Sequence, residues 1–165
     1  MDWSPFVVCA DEEAPPRPRG INTPEGLGDR LRTAAFAERQ ARDAFLWAAA
    51  EFLSAPQKLV AAWKTMAEEE GKHMGWLLAR MSELGVEPAG RPVSGRLWRS
   101  LTACKAPEDF ARFMARAEER GKTAEESFQK TFAARDPETA GIFARIAAEE
   151  EGHIAVQRRA CAGAL

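Results

Sequence analysis

Ala67-Glu68-Glu69-Glu70-Gly71-Lys72-His73 and Ala148-Glu149-Glu150-Glu151-Gly152-His153 contain both histidines of the chain, and the two stretches read alike. The histidines are 80 residues apart, and each has a glutamate three residues before it, Glu70 and Glu150. On an α-helix, positions i and i+3 project from one face about one turn apart, so a carboxylate and an imidazole placed there can bind one metal centre. Glu38 and Glu118 are also 80 apart, each 32 residues ahead of its Glu-x-x-His. Four carboxylates and two imidazoles, in a doubled Glu…Glu-x-x-His pattern, spell a two-metal site. The glutamate runs leave rivals. Glu69 and Glu149, four residues before their histidines, compete with Glu70 and Glu150, and Glu119 competes with Glu118; the 32-residue spacing favours Glu118.

The rest of the chain has to fold around that pattern. At 165 residues it is long enough to bury one real core, and 45% hydrophobic against 29% charged residues marks it as globular. A formal charge of −2 and a pI near 5.8 argue against a nucleic-acid partner, which calls for a basic excess. No apolar run approaches the roughly 20 residues that span a bilayer, so no membrane role is expected. Met1-Asp2-Trp3-Ser4-Pro5 lacks the basic start and apolar stretch of a secretory signal. Cys9, Cys104 and Cys161 are scattered, odd in number and form no Cys-x-x-Cys pair. That excludes a cysteine-ligated zinc or iron centre and points to a reducing cytoplasm.

Residues 1–24 are rich in proline and charge and are expected to form an extended arm, which Trp3, Phe6, Val7 and Val8 can pin to the domain or to a partner chain. Residues 25–165 are expected to form one all-α bundle of four helices. The first starts near Thr23-Pro24-Glu25, with a good N-cap and proline at the first helical position. Its apolar stripe runs Leu27, Leu31, Ala34, Glu38, Ala41, Phe45, Ala48, Phe52, and Glu38 is the one charge in it. After Ser54-Ala55-Pro56 the second helix carries Leu59, Trp63, Met66, Glu70, His73, Leu77, Met81 and Leu84, ending at Gly85. From Gly85 to Pro107 the chain reads as an irregular crossover, with Trp98 and Leu101 covering one side of the bundle. Helices of about 28 residues are about 40 Å long, which a connection of roughly 22 residues can span. The third helix carries Ala111, Met114, Glu118, Gly121, Glu125, Phe128 and Phe132, up to Arg135-Asp136-Pro137. The fourth carries Thr139, Phe143, Ile146, Glu150, His153 and Gln157. The bundle thus reads as a duplicated helical hairpin, 25–85 and 106–163.

Glu38, Glu70-x-x-His73, Glu118 and Glu150-x-x-His153 resemble the di-iron motif of the ferritin-like superfamily, and Ala67-Glu68-Glu69-Glu70-Gly71-Lys72-His73 is most similar to the rubrerythrin and bacterioferritin type. The resemblance covers residues 25–163. It implies a four-helix bundle with a carboxylate-bridged pair of iron ions that reacts with O2 or peroxide, manganese or a mixed Fe/Mn pair being the variant. It places Glu38 and His73 on one ion and Glu118 and His153 on the other, with Glu70 and Glu150 bridging. The chain departs from rubrerythrins at Gly121, where they usually offer a further glutamate, and in having no cysteine-rich electron-transfer domain. With no tyrosine at all, a tyrosyl-radical role is excluded.

The expected function is a di-metal redox protein that reduces O2 or peroxide, coupled to oxidation of iron or a small substrate and fed by an external electron donor. Three rivals stand beside it: a hydroxylase or N-oxygenase on an organic or RNA-borne substrate, an iron-storage protein, and a metal-free helical interaction module. A homodimer is the default assembly. Gly121 has two readings, close helix packing or an opening beside the metals. Glu125, two turns from Glu118 and so about 10 Å along the axis, is either a proton-relay carboxylate or turned to solvent, and the solvent reading is preferred. Trp47, Trp63, Trp76 and Trp98 read as core or interface residues, and the cysteines as small apolar fillers.

Overall fold

The computed structural model describes residues 1–164. It is all-helical, with no strand among the described residues: α1 (Pro24–Glu51), α2 (Gln57–Glu83), α3 (Arg96–Thr102), α4 (Pro107–Phe132) and α5 (Pro137–Cys161). No helix among the described residues is long and apolar enough to cross a membrane. The described residues divide into two compact units, residues 1–44 with 67–100, and residues 45–66 with 101–164.

In the first unit, α1 starts as its residues dictate. Thr23 Oγ1 accepts from the Gly26 N–H at 3.0 Å, filling one of the orphan donors of the first turn, and Pro24 needs no donor there. At the far end of α2, Gly85 takes φ 66°, and the Val86 N–H returns to the Met81 carbonyl at 2.8 Å, a glycine stop. Residues 1–23 contain no helix. Trp3 and Phe6 set their rings 5.2 and 5.1 Å from Phe36, which is 1% exposed. A parallel bridge joins Val8 to Val93. Arg39 lies over the Trp3 ring. The result is an α1 buried on two faces. Asp29, Arg32, Phe36 and Gln40 are covered as well as the Leu31–Glu38–Ala41 stripe read from sequence.

The crossover is not irregular throughout, as expected above. It holds a 3-10 turn at Pro88–Gly90 and the seven-residue α3. The Gln40 side chain accepts from the Trp98 N–H at 3.0 Å, supporting the first turn of α3 from α1. Trp98 itself packs edge-on against Trp3, 5.7 Å away.

The second unit centres on α4, α5 and an aromatic cluster. Pro107 and Pro137 each open a helix at its first position. Asp136 caps α5, accepting from the Thr139 N–H at 3.0 Å and its hydroxyl at 2.6 Å. Phe45, Phe52, Trp63 and Phe110 meet ring to ring, with Trp63 and Phe110 5.3 Å apart. The Trp63 indole N–H donates to Gln157 Oε1 at 3.3 Å, so neither buried polar group is stranded. Phe128, Phe132 and Phe143 form a second aromatic group between α4 and α5.

Candidate metal centre

Helix α1 supplies Glu38 and α2 supplies Glu70 and His73, and all three are buried, at 6%, 1% and 0% exposure. One helical turn separates Glu70 from His73 and aims both the same way. His73 Nδ1 lies 3.5 Å from Glu70 Oε2 and 3.7 Å from Glu38 Oε2. The second unit repeats this with α4 and α5. Glu118, Glu150 and His153 are buried, with His153 Nδ1 at 3.5 Å from Glu150 Oε2 and 4.0 Å from Glu118 Oε1. Each set belongs to a group of buried donor atoms, all within 4.8 Å of one another, of a kind that can hold a metal ion. Two donors each bonded at about 2.1 Å to one ion lie at most about 4.2 Å apart. Separations of 3.5–4.0 Å satisfy that limit. Carboxylate and imidazole donors, with no thiolate, suit a divalent metal ion of the first transition row. The residues therefore fit a metal.

Two of the rival glutamates pair with arginines. Glu119 accepts from the Arg158 guanidinium at 2.8 Å, and Glu149 faces Arg145 at 3.4 Å. Glu69 is only half-buried where Glu70 is sealed. Register explains this: a step of one residue turns a helix by about 100° and moves the side chain off the covered stripe.

Two expectations about the surroundings change. Glu125 does not face solvent; it is 6% exposed, because α4 keeps a seven-residue step from Glu118 and brings it to the same covered side. Gly121 is exposed, and a Cβ there would meet nothing within 4 Å, so close packing is not its reason. Around the imidazoles the walls are aromatic. Trp76 sits 5.3 Å from the His73 ring and Phe45 6.3 Å from the His153 ring. Cys9, Cys104 and Cys161 are half-buried and form no disulfide among the described residues, and burial pushes the Cys104 thiol above its ordinary pKa.

Sequence reasoning passed over one charged cluster. Asp29 on α1 receives Arg19, Arg32 and Arg91. Burial alone would raise its pKa, but hydrogen bonds from the Arg19 side chain and backbone, and the charges of Arg19 and Arg91, outweigh this and hold it well below the usual carboxylate range. The only local signal was the i, i+3 pair Asp29 and Arg32; the other two arginines arrive from distant segments.

The family model described as "Protein of unknown function (DUF455)" matches residues 4–160, nearly the whole chain. The chain belongs to the DUF455 family. The match takes in all six carboxylate and imidazole donors and, from residue 4 onward, most of the arm. No curated protein and no solved structure matches this DUF455 chain.

Proposed function

We propose that the chain is a ferritin-like four-helix protein whose two donor sets hold a pair of iron ions, or manganese in their place, and that it reduces O2 or peroxide while oxidising iron or a small substrate. The observation that carries this reading is the doubled donor set. Each unit places one imidazole within 4.0 Å of two buried carboxylates. Glu38, Glu70, His73, Glu118, Glu150 and His153 would hold the ion pair, with Glu70 and Glu150 as the shared ligands in this reading. Bound there, an iron pair would supply the electrons and Lewis acidity that reduction of O2 or peroxide requires.

The chain's own residues do the rest. Four carboxylates carry a charge of −4, which two divalent cations balance, so burial of the ligands ceases to be costly once the ions are in place. The indole of Trp76 and the ring of Phe45 exclude water from the imidazoles. Glu125, buried one heptad beyond Glu118, would hold a proton for the reduction and pass it inward. Glu125→Gln should then keep the iron content and slow O2 consumption by at least about tenfold.

The deciding experiment is metal stoichiometry after anaerobic loading with Fe(II), exposure to air and removal of loose iron. About two irons per chain, lost in the His73→Ala, His153→Ala double variant, supports the proposal. Tens per chain would move the reading to storage. No bound iron would refute it and leave a metal-free helical module.

A further inference from the structure

We infer that the cavity in the first unit, between α1, the proline-rich arm and the segment after α2, is a binding site for a small organic anion with an apolar body. The cavity measures about 300 Å³. At the ~30 Å³ that a water takes in the liquid, it has room for roughly ten non-hydrogen atoms. Pro16, Phe36, Val93 and Leu97 give it apolar walls, and a few charged groups converge at one side, the usual make-up of a small-molecule site.

Charge decides which ligand. Three arginines, Arg17, Arg32 and Arg91, and one aspartate, Asp29, are among its lining residues, a formal net charge of +2. Asp29 has nothing left to offer a cation. It accepts five hydrogen bonds: from Arg19 N, Nε and Nη2, from Arg32 Nη1 and from Arg91 Nη1, at 2.6–3.1 Å. A carboxylate has about four lone-pair sites, so its acceptor capacity is used up. Arg32 is 4% exposed and fixed by the Glu87 carbonyl at 2.8 and 3.0 Å. Arg91 spends one N–H on Asp29 and one on the Arg17 carbonyl, out of the five a guanidinium carries. A carboxylate or phosphate ester is therefore the complementary group, and Phe36 and the prolines are complementary to its apolar part.

The site is distinct from the metal centre. Asp29 and Glu38 are nine residues apart on α1; at about 100° each this is about 900°, half a turn beyond two full turns. The pocket and the proposed ligand Glu38 thus lie on opposite faces of one helix. Because Pro15, Pro16, Arg17 and Pro18 form one wall, an occupant would also hold the arm.

Calorimetric titration of the full chain with benzoate tests this, with inorganic phosphate and benzyl alcohol as companions. Benzoate should bind saturably with a Kd below about 1 mM, and the neutral alcohol should not bind. Arg91→Gln should weaken benzoate at least about tenfold. Thr33→Leu, which fills the cavity and leaves every charge in place, should weaken it too, with unchanged helix content by circular dichroism. Hydrogen exchange at residues 14–19 should slow when benzoate is bound. No saturable benzoate binding, or equal binding in both variants, would overturn the proposal and leave the arginines as a clasp for the arm. Phosphate binding as tight as benzoate would overturn the organic part of it.

Discussion

Asp29 shows how much one side chain can fix. Its 6%-exposed carboxylate neutralises Arg32, itself buried, and ties residues 19 and 91 to α1. Asp29→Asn keeps the shape and removes the charge, leaving Arg32 buried without it, and should cost about 3 kcal/mol in a denaturant titration at pH 7. The pH dependence has a definite sign. The folded-state pKa is depressed, so the stabilisation is fully present above the unfolded value of about 4 and is lost as pH falls from there toward the native value. The gap between wild type and Asp29→Asn should accordingly shrink only below about pH 4; a gap constant down to pH 2 would contradict the assignment. Glu125 teaches the converse. Read alone, a glutamate on α4 goes to solvent; its register with Glu118 buries it, and register is the better guide wherever the two conflict.

Elements were legible in proportion to their length. The four long helices announce themselves through stripes stepping by three and four and through Pro24, Pro107 and Pro137 at first helical positions, each repeating the same physical signal several times. Helix α3 has seven residues, Arg96-Leu97-Trp98-Arg99-Ser100-Leu101-Thr102, too few for a period to show, and depends on a side chain of α1 for support. The same holds for the second buried face of α1, which exists because the arm lies on it. Two substitutions probe the helix starts. Asp136→Ala removes the acceptor for the Thr139 N–H and should destabilise α5 by about 1 kcal/mol, read as a shifted denaturation midpoint. At Gly26 an added Cβ would run into the Gly20 carbonyl, a backbone atom that cannot step aside alone. Gly26→Ala should therefore cost about 1–3 kcal/mol and speed proteolysis within residues 14–20, where an ordinary glycine-to-alanine change in a helix would stabilise.

At the scale of the molecule, the doubled motif was readable because it repeats spacing as well as residue type, so two weak signals supported each other at a common offset of 80. The arginine cluster was not, since Arg19 and Arg91 lie 10 and 62 residues from Asp29 and nothing local links them. Metal loading should stabilise the whole chain by mass action. At a hundredfold excess over Kd the gain is about 2.7 kcal/mol, a rise in melting temperature on the order of 5–10 °C. Chelator should reverse it, and the His73→Ala, His153→Ala double variant should show no rise. The chain also brings its own instrument for following this. It has five tryptophans and no tyrosine, so its near-ultraviolet emission belongs to indoles, and Trp76 is seated 5.3 Å from the His73 ring. An open-shell ion arriving at that imidazole would dim the neighbouring indole. Filling of the centre can thus be watched without a label, as lost fluorescence that Trp76→Phe would erase.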